Sequence, residues 1–379
     1  MITDINPFVY SHPLSPEDII DRDDETRQLL RNAVGGHYVR LFAPRKYGKT
    51  SLLKRALRDG EAEGLIPIHV DLYRVSSIAD VTVRFERAYS QQLKGAIRSR
   101  IEDFLQRTGI GLSLGAYGIS ARLQVNPKND PLPALHALLD LPMRLEAGGG
   151  YRAFIALDEF QDVDKIPDLD GLIRSHIQYH GEVASYVFAG SEPGLMKQLF
   201  ENKERPLYGS AVPMRLHRLA DADIGAYVSE RFAQTERRVG EALQPLVDSA
   251  KGHPQRAMLL AHRLWEEVPI EGTATLDDWY AAHRAALAEL DAEFDAQWRG
   301  YDTTEQRTLR ALIAGGGSPY KADVLSLLGV TRNGVAWALP RLEASADVEK
   351  VDGKRVVVDP LFAEWIGNLN RANLGGDVG

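Results

Sequence analysis

The sequence predicts an α/β protein built on a parallel sheet, followed by helices and a small mixed module. Three observations carry this. Short apolar runs recur between helix-like stretches, at residues 37–42 (HYVRLF), 65–72 (LIPIHVDL), 151–157 (YRAFIAL) and 184–189 (ASYVFA), with 212–219 a fifth candidate. Two of the runs finish in polar residues, Asp158-Glu159 and Gly190-Ser191-Glu192, as strands do when a site lies beyond their C-terminal ends. From Asp221 to about residue 300 the pattern is helical throughout.

At 379 residues the chain is long enough for two or three domains, each burying its own core. Its 44% hydrophobic, 26% charged and 8% aromatic residues are ordinary for a globular protein. No apolar run approaches the roughly 20 residues of a membrane span. The N-terminus shows no basic stretch followed by an apolar one, so a cytoplasmic protein is expected. The absence of cysteine excludes disulfides, thiolate metal sites and thiol chemistry. A net charge of −8 argues against a chain whose main business is wrapping polyanions.

Taken in order, residues 1–18 read as an extended, ordered arm containing Pro7, Phe8, Tyr10, Pro13 and Pro16. A helical pattern through Leu29, Leu30 and Val34 is stopped by Gly35-Gly36 ahead of the first strand. Residues 78–107 form the clearest amphipathic helix, with Phe85, Tyr89, Leu93, Ile97, Ile101 and Leu105 in one stripe. The basic residues around that stripe (Arg84, Arg87, Lys94, Arg98, Arg100) read more simply as a solvated face than as a nucleic-acid surface. Alternation predicts a hairpin over 110–125, and one helix is expected from the Pro131-Leu132-Pro133 stretch to about Glu146. Helices follow at 224–232, 239–250, 254–265 and 276–298, with Gly252-His253-Pro254 separating the second from the third. Residues 303–366 carry three short helices, then two β-type runs around Asp352-Gly353, the order of a winged helix-turn-helix. The expected units are a 1–219 α/β core with its arm, a 220–300 helical lid, a 301–368 winged helix and a disordered 369–379 tail.

Between the first strand and a helix lies Ala43-Pro44-Arg45-Lys46-Tyr47-Gly48-Lys49-Thr50-Ser51. It matches a phosphate-binding P-loop, G-x-x-x-x-G-K-[ST], with Ala43 in place of the first glycine. Phosphates need converging N–H donors with no side chains in the way, and a strand-to-helix loop supplies them along with a favourable helix dipole. Gly48 permits close backbone approach, Lys49 would reach the β and γ phosphates, and the Thr50 hydroxyl would ligate Mg²⁺. Alanine at 43 suits close packing but is strained if the position needs a positive φ. Read without function, the stretch is a basic loop capping a helix. Asp158-Glu159, about a hundred residues on and at the end of the most apolar strand, supports the functional reading. Asp158 would hold Mg²⁺ and Glu159 would activate the attacking water as general base, against the plainer alternative of two solvated carboxylates.

With these residues in view, the chain resembles an archaeal-type ATPase of the STAND/AAA+ branch of P-loop NTPases. The matching stretches run in the family's order: Ile19-Ile20-Asp21-Arg22-Asp23-Asp24-Glu25, the P-loop, Phe154-Ile155-Ala156-Leu157-Asp158-Glu159-Phe160-Gln161, Arg205-Pro206-Leu207-Tyr208-Gly209, Gly252-His253-Pro254 and Asp359-Pro360-Leu361-Phe362. Asp21 and Ala43 stand where the family has glycine. The resemblance implies a P-loop NTPase core with a helical lid and a winged helix, and ATP or ADP with Mg²⁺ as ligands. It places Ile20 and Arg22 on the adenine and ribose side, and residues Pro44, Arg45, Lys46, Tyr47, Gly48, Lys49, Thr50 and Ser51 around the phosphates. Thr50 and Asp158 become metal ligands, and Lys49 and Glu159 catalytic residues. Ser191 becomes a sensor of the γ-phosphate, and Pro254 packs the lid over the nucleotide, with Arg256 a weaker sensor candidate. Arg205 is the candidate arginine finger, acting within the chain or on a neighbouring subunit. On the residues alone Ser191 reads equally as a turn serine and Arg205 as a surface arginine.

Two further signals are discounted. His176 and His180 have a zinc-binding spacing but no evident third ligand, so a surface pair is preferred. Arg332, Asn333 and Arg341 could face DNA, yet residues 301–370 hold eight basic against nine acidic side chains, which favours packing or a protein partner. The expected function is a Mg²⁺-dependent ATPase acting as a regulatory conformational switch. The alternatives are an ATP-tuned DNA-binding regulator and a nucleotide-dependent scaffold with little turnover. Partners are the nucleotide and a protein or second copy, with no membrane.

Overall fold

The computed structural model describes residues 5–93, 95, 99 and 130–374. After α1 (Asp23–Val34), strand β1 (Val39–Phe42) leads into α2 (Lys49–Ala62), then β2 (Ile66–Asp71) and α3 (Ile78–Gln92). Helices α4 (Leu132–Leu139) and α5 (Leu141–Gly149) precede β3 (Ala153–Asp158), α6 (Leu169–Ile177), β4 (Ala184–Gly190), α7 (Pro193–Glu201) and β5 (Val212–Arg215). Among the described residues the five strands pair in parallel in the order β2-β3-β4-β1-β5.

Burial explains why the strands read clearly. Every residue of β3 and β4 is buried, because helices cover both faces of the sheet. Ile155 and Leu157 point into one apolar cluster with Phe85, Tyr89 and Leu138. Phe154 and Ala156 point the other way, against Leu52, Leu53 and Leu29. This is the expected three-layer α/β architecture.

The following helices are α8 (Asp221–Gln234), α9 (Leu243–Ala250), α10 (Pro254–Glu267) and α11 (Leu276–Gly300). After them come α12 (Thr303–Ala314), α13 (Ala322–Leu328), α14 (Arg332–Ala344), the hairpin β6 (Val348–Val351) and β7 (Lys354–Val357), and α15 (Pro360–Leu374). The hairpin is antiparallel, with Glu349 opposite Val356. One continuous apolar core runs from Phe8 and Ile20 of the arm through Ile224, Leu259 and Phe294 to Phe362 and Ile366. The arm, the helices after the sheet and the last module therefore share packing. Among the described residues no helix is long and apolar enough to cross a membrane.

Four expectations are corrected. The helix expected to reach Glu146 unbroken is two, α4 and α5, because Pro142 has no N–H to continue the ladder. The fifth strand stops at Arg215, short of Leu219, on the open edge of the sheet. Residues 369–374, expected in a disordered tail, extend α15. His176 and His180 are not a surface pair. His180 is buried with its Nδ1 2.8 Å from the Tyr186 hydroxyl, while His176 lies 2.6 Å from Asp140 and 2.8 Å from His136. Helix α3 is described to Gln92; the rest of the 78–107 stretch and the 110–125 hairpin lie outside the described residues, as does the tail from 375.

Candidate functional site: a nucleotide-type pocket at the strand ends

The loop from β1 to α2 brings the candidate residues together. Ala43 is buried and keeps a negative φ, its N–H donating to Gly190 O at 3.3 Å, so the ladder between β1 and β4 continues through it. The left-handed positions are instead Lys46 (φ 66°) and Gly48 (φ 82°). A side chain at 43 is thus unstrained. At Gly48 nothing lies within 4 Å of where a Cβ would stand, which leaves open space in front of the N-terminus of the 14-residue α2. Asp21, the other residue standing where the family has glycine, does adopt the left-handed region (φ 51°), which aspartate tolerates better than most side chains.

A cavity of about 370 Å³ opens over this loop. It is lined by Ile20, Arg22, Pro254, the whole run from Pro44 to Ser51, and Glu159. Behind the lining, Thr50 Oγ1 donates to Asp158 Oδ2 at 2.7 Å, and Lys49 Nζ lies 2.7 Å from Glu159 Oε1 and 3.7 Å from Asp158 Oδ1. Glu159 Oε2 accepts from Ser191 Oγ at 2.7 Å and from Gln161 Nε2 at 2.6 Å. Gln161 also accepts from the Ser191 N–H at 3.2 Å. The ends of β3 and β4 and the P-loop are therefore one hydrogen-bonded unit.

The electrostatics follow from burial. Burial alone would raise the Asp158 carboxyl, but the His69 imidazole, the Lys49 ammonium and the Thr50 hydroxyl outweigh it and hold it at about 2. The His69 Nε2 is itself buried, 3.6 Å from Asp158 Oδ2 and beyond hydrogen-bond distance. A hydroxyl and an ionised carboxylate meeting at this point make a hard oxygen donor set that suits Mg²⁺. The open backbone at Gly48, the Lys49 ammonium and the helix N-terminus suit phosphates. The residues present fit both groups.

Other expected residues fall elsewhere. Arg205 does not line the cavity; it pairs with Asp164 (2.5 Å) and Asp170 (2.9 Å). Arg256 is buried against Asp359, with Nε 2.9 Å from Oδ2, and lies over the Phe294 ring. Its charge outweighs burial and lowers the Asp359 carboxyl. Arg22 donates to Glu25 and to His217 O.

Residues that sequence reasoning missed include the arm itself, since residues 9–14 line the cavity. The Leu14 N–H donates to Ser51 Oγ at 3.0 Å, Gln255 Nε2 donates to Tyr10 O at 3.3 Å, and the Tyr10 hydroxyl to Glu289 at 2.9 Å. The arm so straps the helices after the sheet to the P-loop helix. Its proline and aromatic content was the available signal. Gln161 ends the matching stretch Phe154 to Gln161, but nothing in the sequence gives it a role.

The fold is shared with solved structures of an ATPase and of a nucleotide-bound protein. A Walker-type ATPase of Pyrococcus abyssi superposes with a TM-score of 0.69 at 18% identity, covering 95% of this chain and 99% of that one. The ORC2 protein of Aeropyrum pernix gives 0.57 at 16% identity in its ADPNP–ADP complexes, covering 98% and 99%, and 0.54 at 14% in its ADP form. At these identities the likeness concerns the fold. No protein-family model matches the chain. The serine–tRNA ligase of Staphylothermus marinus is 30% identical over 118 residues, but the match spans 27% of this chain and only 22% of that protein.

Proposed function

We propose that the chain is an ATP-binding, Mg²⁺-dependent ATPase that works as a regulatory conformational switch. The observation that carries this is the convergence of Lys49, Thr50, Asp158, Glu159 and Ser191, from three separate parts of the sequence, in one hydrogen-bonded cluster whose Lys49, Thr50 and Glu159 line the cavity. Lys49 and the α2 N-terminus hold the phosphates. Thr50 and Asp158 would hold Mg²⁺, which when bound would neutralise charge on the phosphoryl oxygens. Glu159, oriented by Ser191 and Gln161, takes the proton of the attacking water. Ile20, Arg22 and the arm enclose the base and sugar. Pro254 at the start of α10 closes the cavity from the lid side, so that occupancy and lid position are linked. Arg205 is retained as an arginine finger whose pairs with Asp164 and Asp170 open when it acts. Residues 1–219, 220–300 and 301–368 serve as core, lid and winged helix, and the protein works in the cytoplasm. Purification under native conditions, identification of bound nucleotide and assay of phosphate release test the reading; a protein that neither retains nor turns over nucleotide removes it.

A second reading is an ATP-tuned DNA-binding regulator. On α14 the exposed Trp337 carries the Arg341 guanidinium 4.5 Å over its ring, with Asn333 exposed one turn before it. Duplex binding that is absent at micromolar protein and at every salt concentration eliminates this reading.

A further inference from the structure

Between the buried Pro44 and Lys49, the phosphate loop is held by one buried side chain. Arg45 and Lys46 are exposed, whereas Tyr47, next to Gly48, is buried. Its ring meets the His253 ring edge-on at 5.0 Å, and its hydroxyl donates to Glu349 Oε1 at 2.5 Å. Glu349 belongs to β6, some three hundred residues away in sequence, and is buried where an alternating two-stranded ribbon would turn it to solvent. A carboxylate is costly to bury unless its oxygens are paired. Here Arg218 Nε donates to Oε1 at 2.9 Å and Arg215 Nη2 to Oε2 at 3.2 Å. Arg218 also donates to Val358 O at 2.8 Å and Lys251 O at 2.6 Å, so one guanidinium ties the hairpin to the turn before α10. The neighbouring Lys46 reaches Glu293 of α11 at 2.5 Å.

We propose that Glu349 is a positioning residue for the phosphate loop, fixing Tyr47 and through it the left-handed turn at Lys46 and Gly48 that shapes the phosphate cradle. The inference rests on the reading of this loop as a nucleotide site. Because binding linkage is reciprocal, whatever factor docking of the hairpin adds to nucleotide affinity, nucleotide adds to docking of the hairpin. The C-terminal hairpin then reports occupancy through two residues, without touching the nucleotide itself.

Two conservative variants test this, each measured in the full chain. Tyr47→Phe keeps the ring on His253 and leaves both arginines on Glu349, removing only the hydroxyl. Glu349→Gln keeps the shape and removes the charge. The readouts are the dissociation constants for ADP and ATP, the thermal midpoint without nucleotide, and hydrogen exchange of residues 348–357 with and without ADP. The expected result is roughly tenfold weaker binding in both variants, the scale of one charge-assisted hydrogen bond, with the thermal midpoint of Tyr47→Phe little changed. ADP slows exchange in the wild-type hairpin and does so less in Tyr47→Phe. Wild-type affinity in both variants, with hairpin protection intact, overturns the inference and leaves the nucleotide site standing. No nucleotide binding by the wild type overturns both. If Glu349→Gln does not fold, Tyr47→Phe alone decides.

Discussion

Ser191 Oγ donates to Glu159 Oε2 at 2.7 Å, joining the end of β4 to the end of β3. Gln161 supplies a second donor to the same oxygen, and Lys49 pairs with the other. Glu159 itself stands at φ 53°, so both backbone and side chain are fixed by their surroundings. A carboxylate aimed in this way is suited to take a proton from one position.

Glu159→Gln is therefore expected to lower turnover by about 10²–10⁴-fold, the usual scale of a general base. Glutamine still accepts from Ser191, so nucleotide affinity should stay within a few-fold. Phosphate release and equilibrium binding check the two halves separately. Hydrolysis at the wild-type rate would remove Glu159 as the base.

Ser191→Ala and Gln161→Ala each remove a donor from one oxygen. Either variant should lower kcat by roughly tenfold with KM nearly unchanged, because the loss is of orientation and not of nucleotide contact. Both act on one carboxylate, so the double variant should lose less than the product of the two single losses. Strict additivity would show that the two side chains act independently, against the shared hydrogen bonds.

Thr50→Ala and Asp158→Asn address the metal. Thr50 and Asp158 meet at 2.7 Å, and Asp158 is held ionised down to about pH 2. Each variant should raise the Mg²⁺ concentration needed for half-maximal turnover by tenfold or more, the scale at which metal sites respond to lost partners. ADP binding measured in EDTA should change much less. An unchanged Mg²⁺ requirement in both would place the cation elsewhere.

Arg205 separates a structural contribution from a catalytic one. Its removal leaves the Asp164 and Asp170 carboxylates without their guanidinium, so Arg205→Ala should destabilise the nucleotide-free protein, by about 1 kcal/mol given the partial exposure of the pair. Arg205→Lys restores much of that stability, but it cannot reproduce a planar fork at a phosphoryl group. A finger is shown by Arg205→Lys recovering thermal stability while kcat stays low; joint recovery of both leaves only the ion pairs.

What was legible in the sequence was local. The strands β3 and β4 announce themselves because sheet burial on both faces leaves continuous apolar runs, and the loop 43–51 and Asp158-Glu159 because each is a short local pattern. The β5 strand ends sooner than its sequence pattern predicts because it sits at an edge, where Val212 and Pro213 are exposed and burial imposes less pattern. The partners of Tyr47, Glu159 and the arm were illegible for a different reason. Glu349, Ser191 and Ser51 reach them across long sequence separations, and no periodicity marks a side chain whose environment another part of the chain creates. The condition for strain at Ala43 is not met, since its backbone follows the ladder to Gly190 and the left-handed turn falls three residues later at Lys46.

Two buried imidazoles should contribute to the loss of stability in acid, opposed between about pH 7 and 4.5 by the buried Glu86 carboxyl, which burial raises to about 7. Burial lowers His253 to about 3 and His180 to about 4. In the unfolded chain both take up protons near pH 6.5. At these two sites the unfolded state binds more protons than the folded state below that pH, so their contribution to stability is lost as pH drops from 6.5 toward 4 and 3. Each group contributes at most about 1.4 kcal/mol per pH unit, and neither contributes a slope above 6.5. His253 Nδ1 accepts from the Arg256 N–H at the start of α10, an acceptor role that protonation abolishes. His253→Asn keeps a capping acceptor without a titrating proton, so its urea midpoint should fall less steeply between pH 6.5 and 4 than that of the wild type. Identical slopes in the two proteins would mean that His253 takes up its proton as readily in the fold as in the unfolded chain.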